Sequence, residues 1–593
     1  MDEKLIVANC SGFYGDRFSA AQEMVEGGPI DVLTGDYLAE LTMAILFRKT
    51  LKNPQAGYAD TFLRQMEQVM GTCLSRNIKV VTNAGGLSPK GLAAALKEVA
   101  RMLGLNPKIA WIEGDNLLPR METLREQGEM LAHMDSGKAL NLDEGFMVTA
   151  NAYLGGWGIT RALQEGADIV IGGRIADASL VSGPSAWKFG WKENDWDKLA
   201  GAVAAGHIIE CGAQATGGNY AFMDDIQSYK NIGFPIAEIY PDGSSVITKH
   251  PGTGGRVNCG TVKAQLLYEV RSPAYLTPDV TARFDTLTLD KDGIDRVKSS
   301  GTKGGPPTDS LKVCINRVNG HRNTVRVVIT GLDIEKKAEI VESMLFDALG
   351  GKERFDEVDV RFHGMGMNDP MSLDESHSFL QISVRGKDSD LIGKRFPQAC
   401  IELALCSIPG FTLGELPGKG APVIQHWPAL VSKKQVETRV FMDGKDNPVS
   451  WGKDTAPCME TQLASTPDIG VESSPDRIRL PLGRIMGARS GDKGGNANLG
   501  VWAKKSAAKG FLFRFLSCEN LKTLLPDMAP YTIERYEFPN LCAVNFYIRG
   551  FLGDGVASSL KADPQAKTLA EYFRCKKVEI PLDIVDGVWN DTE

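Results

Sequence analysis

The sequence predicts an α/β fold with a mostly parallel sheet and flanking helices. Short apolar runs recur through the first third of the chain, and small or polar residues followed by a helical stretch come after each run. The runs are continuous rather than alternating, which is typical of strands buried on both faces of a parallel sheet. They occupy residues 5–8, 30–33, 78–81, 109–112, 146–148 and 169–171.

Helix starts between these runs support the α/β interpretation. Ser88 precedes Pro89, and a serine cap before a proline at the first helical position predicts a helix over 90–103. Asp36 is placed to cap a helix over 37–48. A doubly wound sheet is the first expectation. A partial (β/α) barrel is the alternative, because eight clean units are not visible.

The sequence predicts an α/β domain with glycine-rich loops at 1–310, followed by three further regions. The order strand, helix, strand, strand, helix predicts an α+β sandwich at 311–431, with helices at 334–349 and 391–405. Lys, Asp, Ser, Thr and Pro are frequent in 432–476, which indicates a linker. Two strand-like runs flank the SGDKGGNAN loop in the last region, a separate domain at 477–593.

Composition excludes several classes of protein. The 593 residues exceed the usual limit of one core, and 43% hydrophobic with 24% charged residues is ordinary for a soluble globular protein. A net charge of −8 without a dense basic stripe disfavours nucleic acid as a partner. Eleven scattered cysteines without a C-x-x-C pair favour free thiols and a cytoplasmic location. Without an apolar stretch of about 20 residues, no membrane partner is expected.

Five bursts of glycine among polar residues are candidates for binding a small-molecule substrate, since bare backbone N–H groups can approach an anion closely. Tight turns are the alternative. A dinucleotide G-x-G-x-x-G and a Walker A sequence are both lacking, so no nicotinamide or nucleotide cofactor is expected. The candidate binding residues in or beside the bursts are Gly155, Gly156, Gly172, Gly173, Lys249, Gly254, Arg489, Asp492 and Lys493.

Acidic residues follow the predicted strands. Asp36, Glu113 and Asp115 come directly after apolar runs, and Asp177 lies a short turn beyond another. Carboxyl ends of parallel strands share one edge, and crowded carboxylates raise one another's pKa, which suits proton transfer. The alternatives are a helix cap for Asp36, a plain turn for residues 113–116, and an i, i+3 pair of Asp177 with Arg174.

Other polar residues extend this candidate site. Asn83 and Asn151 follow strands and could hydrogen-bond a carbonyl oxygen or close their own loops. Of seven histidines, His250 is the best placed to act as an acid or base, and a structural role is its alternative. No close histidine spacing indicates a metal site, although a carboxylate-bound divalent ion stays open.

Eight segments of the chain are long and specific enough to compare with a known family. They are SGFYGDR, LTGDYLAE, NAGGL, NAYLGGWGI, GGRIADASL, ECGAQATGGNYAF, ITKHPGTGG and ARSGDKGGNANLG. With these segments the chain resembles the acyclic terpene utilization (AtuA-like) family over almost the full length. The resemblance implies a large N-terminal domain, a small ferredoxin-like C-terminal domain, and a link to catabolism of citronellol- and geraniol-type isoprenoids carried as CoA thioesters.

The expected function is a lyase or hydratase that uses acid–base chemistry on a branched acyl thioester or related carboxylate. The four acidic residues would transfer protons, and Asn83, Asn151 and Arg174 would stabilise developing negative charge. The alternatives are a biosynthetic enzyme acting on a free isoprenoid or polyketide-like substrate, and a non-catalytic scaffold or carrier. A homo-oligomer is expected from the frequency of symmetric oligomers among such proteins.

Overall fold

The computed structural model describes residues 3–364, 369–452, 454–456 and 475–589. The strands are β1 (Leu5–Asn9), β2 (Val32–Gly35), β3 (Lys79–Thr82), β4 (Ile109–Glu113), β5 (Phe146–Ala152), β6 (Ile169–Ile171), β7 (Pro235–Ile239), β8 (Ser245–Lys249), β9 (Ala274–Leu276), β10 (Thr281–Arg283), β11 (Thr288–Gly293), β12 (Arg296–Ser300), β13 (Lys303–Gly305), β14 (Ser310–Thr330), β15 (Glu357–His363), β16 (His377–Gly386), β17 (Phe411–Glu415), β18 (Ala421–Ser432), β19 (Thr438–Met442), β20 (Lys445–Val449), β21 (Arg477–Pro481), β22 (Met486–Lys493), β23 (Asn496–Ala503), β24 (Ile533–Phe538), β25 (Ala543–Ile548) and β26 (Lys577–Pro581).

The α-helices are α1 (Ala20–Glu26), α2 (Glu40–Thr50), α3 (Asp60–Ser75), α4 (Pro89–Met102), α5 (Met121–Glu126), α6 (Trp157–Gln164), α7 (Ser179–Phe189), α8 (Trp196–Ile209), α9 (Cys259–Leu266), α10 (Ile334–Leu349), α11 (Phe396–Cys406), α12 (Lys509–Phe515), α13 (Cys518–Leu524), α14 (Leu569–Arg574) and α15 (Leu582–Trp589). None of these helices has both the length and the apolarity that crossing a bilayer requires.

The first sheet contains eleven strands in the order β11-β12-β8-β7-β1-β2-β3-β6-β4-β19-β20. The five central strands, β1, β2, β3, β6 and β4, run parallel, and every other neighbouring pair is antiparallel. Five of the six apolar runs lie in this parallel centre. The α/β class is therefore confirmed, but the sheet is mixed, so the expectation of a mostly parallel sheet is not confirmed.

Helices cover both faces of the parallel centre. Val81 and Val170 pack into the core formed with α6, α7 and α8. Their chain neighbours Val80, Ile169 and Ile171 pack into the opposite core with α1, α3 and α4. Since successive side chains of a strand point to opposite faces, these continuous apolar runs are what two-sided burial requires.

The second sheet has β14, a strand of 21 residues, at its centre. Its C-terminal half pairs with β16 and β17, and its N-terminal half pairs with β18 and β5. The apolar run at 146–148 is therefore a strand, as predicted, but it runs antiparallel in this sheet. The helix predicted at 334–349 is confirmed as α10.

Part of the predicted linker forms two strands. The β19–β20 hairpin pairs with β4 and so extends the first sheet. Residues 457–474 of the same segment lie outside the described residues. The division of the chain at residues 310, 431 and 476 stays a prediction.

The C-terminal region forms its own antiparallel sheet, in the order β22-β23-β25-β24. Leu499 and Phe546 from the sheet pack with Leu512, Leu521 and Phe573 from α12, α13 and α14. The two strand-like runs predicted in this region correspond to β22 and β23, which pair antiparallel. Most of the predicted SGDKGGNAN loop lies within these strands.

Candidate functional site

The carboxyl ends of the parallel strands meet the polar face of the second sheet. From β5, Asn151 donates a hydrogen bond of 2.8 Å to Oδ2 of Asp115, which follows β4. From β14, Asn316 donates a hydrogen bond of 2.9 Å to the main-chain oxygen of Glu40, at the start of α2. The polar ends of separate strands therefore come together, and the second sheet covers them.

Asp36 is held by Asn83 from the neighbouring strand. Asn83 Nδ2 donates to Asp36 Oδ1 at 2.6 Å, while Asn83 Oδ1 accepts from the Tyr37 amide at 2.8 Å. Because α2 begins at Glu40, Asp36 is not a helix cap. Asp36 Oδ1 also accepts a hydrogen bond of 3.1 Å from the Leu38 amide. Asn83 therefore positions Asp36, and both ends of its amide are occupied within the protein.

Arg174 and Asp177 form a half-buried ion pair. Arg174 Nη1 donates to Asp177 Oδ1 at 2.6 Å, and the guanidinium lies 4.0 Å from the centre of the Tyr153 ring. The Arg174 side chain is 2% exposed, whereas that of Asp177 is 28% exposed. Arg174 Nε is buried without a partner among the described residues. The predicted i, i+3 pair is therefore present, and Asp177 keeps an accessible surface.

Arg174 contacts Asp177, and its charge also acts on Asp36 and Glu210, so we call these four residues the carboxylate cluster. Burial raises the pKa of Asp36, the charge of Asp177 raises it further, and Arg174 lowers it. Burial and Asp177 likewise raise the pKa of Glu210. Glu210 Oε1 lies 3.0 Å from His207 Nδ1, and its Oε2 has no partner among the described residues. The cluster therefore favours protonated carboxyl groups beside a fixed cation.

Glu40 is ionised, in contrast to Asp36 and Glu210. Tyr153 Oη donates to Glu40 Oε1 at 2.9 Å, and Lys312 Nζ donates to the same oxygen at 3.0 Å. Burial would raise the pKa of Glu40, but the charge of Lys312, with a smaller effect of Arg174, holds that pKa well below its usual range. Carboxyl groups in opposite protonation states thus share Arg174 as a neighbour.

The C-terminal domain adds Asp492 and Lys493 to this region. Burial and the nearby carboxylate of Glu269 raise the pKa of Asp492. Lys493 lowers the pKa of both Glu269 and Glu210. Arg489 instead anchors the domain, since it hydrogen-bonds Gln214 and stacks on the Tyr268 ring. Charges from both ends of the chain therefore meet at one place.

Asp115 and Glu113 do not join the carboxylate cluster. Asp115 is 3% exposed, and its Oδ2 accepts hydrogen bonds from Asn151 and from the Arg174 amide, both at 2.8 Å. Burial raises its pKa, and it holds the loop that carries Arg174. Glu113 accepts a 2.9 Å hydrogen bond from Trp111 Nε1. These contacts place Asp115 in support of the cluster and Glu113 outside it.

His250 and Lys249 are not part of the carboxylate cluster. His250 Nε2 is 2.9 Å from the carbonyl oxygen of Met24, and its ring packs on Gly27 and Gly28. Lys249 Nζ donates to the carbonyl of Thr253 at 2.9 Å. Both residues are buried, and their contacts match the structural alternative rather than the carboxylate cluster.

The GGWG loop binds a carboxylate of this chain. The Gly156 amide donates to Asp279 Oδ2 at 2.7 Å, and Ser179 Oγ donates to the same oxygen at 2.9 Å. A Cβ on Gly155 would overlap with the Asp279 carboxylate. The expected anion position is therefore filled from within the protein.

The other candidate glycines serve close packing. Gly172 packs on the Ile175 side chain, Gly173 on the Asp115 carboxylate, and Gly254 on the carbonyl of Lys230. In each case a Cβ would overlap with these atoms, so the glycines permit close approach within the fold.

Sequence reasoning missed Glu40, Glu210, Lys312 and His426. Lys312, Cys314 and Asn316 alternate with apolar residues along β14, and this period of two predicts one polar sheet face. This alternation could have identified Lys312 as a site residue from the sequence. Within the described residues, no set of three or more His, Cys, Asp and Glu side chains has the arrangement of a metal site.

Comparison with protein families agrees with this architecture. The model of the acyclic terpene utilisation family protein AtuA matches residues 5–442, which is well over half of the chain. The model of the AtuA ferredoxin-like domain matches residues 480–579, the region with the separate antiparallel sheet. No curated protein is significantly similar in sequence. Both parts of the molecule that meet at the carboxylate cluster are thus matched, and the chain belongs to the acyclic terpene utilisation AtuA family.

Proposed function

We propose that this protein is an enzyme of lyase or hydratase type that acts on a carboxylate or acyl thioester derived from an acyclic terpene. The carboxylate cluster is the observation that carries the proposal, because burial raises the pKa of Asp36 and Glu210 beside the Arg174–Asp177 pair. The family provides the coarser context of acyclic terpene utilisation.

Loss of water next to a carbonyl needs one group that protonates the leaving hydroxyl and another that removes a proton from carbon, and addition of water reverses both transfers. Asp36 and Glu210 are suited to the first task, since their raised pKa values keep a proton available. Asp177 is suited to the second, because Arg174 balances its charge and part of its surface is accessible. Neighbouring carboxyl groups in different environments commonly divide acid and base roles in this way.

Positive charge near the cluster is suited to a carboxylate or a thioester carbonyl. Arg174 has a buried Nε without a partner among the described residues, and the Lys312 side chain keeps 26% of its surface exposed. Lys493 adds a third cation from the C-terminal domain. Fixed cations in a buried setting stabilise an enolate-like transition state without reorganising.

The test uses geranoyl-CoA, citronellyl-CoA and the corresponding free acids, with mass spectrometry to detect gain or loss of one water. Asp36→Asn and Asp177→Asn should each lower turnover by about 10²- to 10⁴-fold. Asp290→Asn is the matched control, since Asp290 is exposed on β11. Full turnover in both cluster variants contradicts the proposal. Turnover of free acids alone would favour the alternative substrate, and no conversion at all would favour a scaffold or carrier.

A further inference from the structure

His426 lies on the polar face of the second sheet, beside Glu40 and Lys312. In the register of β14 and β18 it stands opposite Asn316. Directly opposed residues of antiparallel strands share a face, and alternate residues of one strand do too. His426 therefore faces the same side as Lys312, Cys314 and Asn316, which is the side that hydrogen-bonds Glu40.

The two ring nitrogens of His426 differ in their surroundings. Nδ1 lies 3.7 Å from Cys314 Sγ, and Asn316 Nδ2 approaches that sulfur at 3.6 Å. Nε2 is buried and has no partner among the described residues, while the whole residue is 7% exposed. Burial raises the pKa of Cys314 to about 12, so its sulfur carries a hydrogen. The two hydrogens of Asn316 Nδ2 go to its closer acceptors, the Glu40 carbonyl at 2.9 Å and Thr149 Oγ1 at 3.0 Å. When the Cys314 thiol donates its hydrogen to Nδ1, the ring proton is on Nε2.

The groups that face His426 keep the ring neutral. Burial lowers its pKa most, Lys312, His133 and Arg174 lower it further, and Glu40 alone raises it, with a result of about 4. The C-terminal domain lies on the other side of the ring. A Cβ on Gly494 would come to 3.6 Å from Cδ2 and 3.9 Å from Nε2, so the glycine itself leaves space beside Nε2. Nε2 is therefore directed to the junction that Lys493 enters.

We propose that His426 is a further catalytic residue, which donates a hydrogen bond from Nε2 to the carboxylate or thioester oxygen of the substrate. This inference rests on the proposed function. A buried donor without a partner is unfavourable, and a ligand oxygen would supply the missing acceptor. A neutral donor held in place stabilises negative charge that develops on that oxygen. Cys314 is a positioning residue in this arrangement, since it contacts Nδ1 on the far side of the ring.

The tautomer is measured without substrate by NMR of ¹⁵N-histidine-labelled protein, in which His426→Gln identifies the signal. A neutral ring protonated at Nε2 is expected at pH 7. Cys314→Ser should preserve it, because a hydroxyl can still donate to Nδ1, whereas Cys314→Ala should admit the other tautomer. A ring protonated at Nδ1, or a charged ring, in the unaltered protein overturns the inference.

Contact with substrate is measured by adding geranate to the same labelled protein. A shift of the His426 Nε2–H signal supports the inference, and an unchanged signal at saturating geranate overturns it. With geranoyl-CoA, His426→Gln should lower kcat by about 10²-fold and leave KM nearly unchanged. His377→Gln, on β16, is the matched control.

If neither thioester nor acid is converted although the geranate shift occurs, the proposed function fails and the His426 contact stands. If conversion occurs with full kcat in His426→Gln, the catalytic role of His426 fails alone.

Discussion

Asp279 fills the anion position of the GGWG loop. A double-mutant cycle of Asp279 and Gly155 measures the coupling energy between this carboxylate and the loop. Asp279→Ala removes hydrogen bonds to the Gly156 amide and to Ser179, both of which are buried. Bonds to a charged group are worth about 1.5–3 kcal/mol each, so a loss of about 3–6 kcal/mol is expected for the two. Gly155→Ala alone places a methyl group against the carboxylate, and overpacking of this kind costs about 1–3 kcal/mol.

The double variant should be no less stable than Asp279→Ala alone, because the atoms nearest to a Cβ at position 155 all belong to Asp279. The coupling energy is then about 1–3 kcal/mol, well above the error of additivity. The thermal unfolding midpoint is the first readout, since a chain of this length is not expected to unfold in two states. Hydrogen exchange at Gly156 is the second and should speed up in Asp279→Ala.

Gly305→Ala is the matched control, because a Cβ there meets nothing within 4 Å. Its midpoint should stay close to that of the unaltered protein in both backgrounds. If Gly155→Ala costs the same with and without Asp279, or costs nothing with it, the loop does not depend on this carboxylate.

Three further perturbations have defined outcomes. Lys312→Met leaves the partly buried Glu40 without its cation, so the thermal midpoint should fall by the equivalent of about 1–3 kcal/mol. Lys303→Met breaks an exposed pair and should cost under about 1 kcal/mol. Burial lowers the pKa of His207 to about 4, so the free energy of unfolding should fall by about 3 kcal/mol as the pH is lowered from 6.5 to 4. A thermal midpoint that falls as steeply with pH in His207→Gln contradicts this. Asn498→Ala removes hydrogen bonds to residues 267 and 269, so limited proteolysis should release the C-terminal domain faster, and an unchanged rate would show that these bonds do not hold it.

The parallel centre of the first sheet was predictable because its signals are local. A continuous apolar run reports burial on both faces whichever strand lies beside it, and α10 shows its boundaries in its own sequence. The sheet to which β5 belongs was not predictable, since an apolar run at 146–148 suits either sheet. Its partner β14 begins more than 150 residues later.

The candidate site was predictable at strand ends and not beyond them. Asp36 and Asp177 follow strands, and the rule for parallel sheets brings them to one edge. Glu40 stands only four residues after Asp36, but its role depends on Lys312, which is 272 residues away. The GGWG loop shows the converse case. Its amides were identified as anion binders, but the anion is Asp279, 123 residues along the chain from Gly156.

The protonation of Asp36 and Glu210 in the folded protein tests the carboxylate cluster most directly. Difference infrared spectroscopy detects the carbonyl stretch of a protonated carboxyl group, and at pH 6 an ordinary Asp or Glu is almost fully ionised. The unaltered protein should show this band at pH 6, and Asp36→Asn should reduce it. Asp177→Asn should move its disappearance to lower pH, because the charge of Asp177 raises the pKa of both groups. A spectrum at pH 6 without the band, identical in the unaltered protein and in Asp36→Asn, would contradict the cluster as an acid–base site.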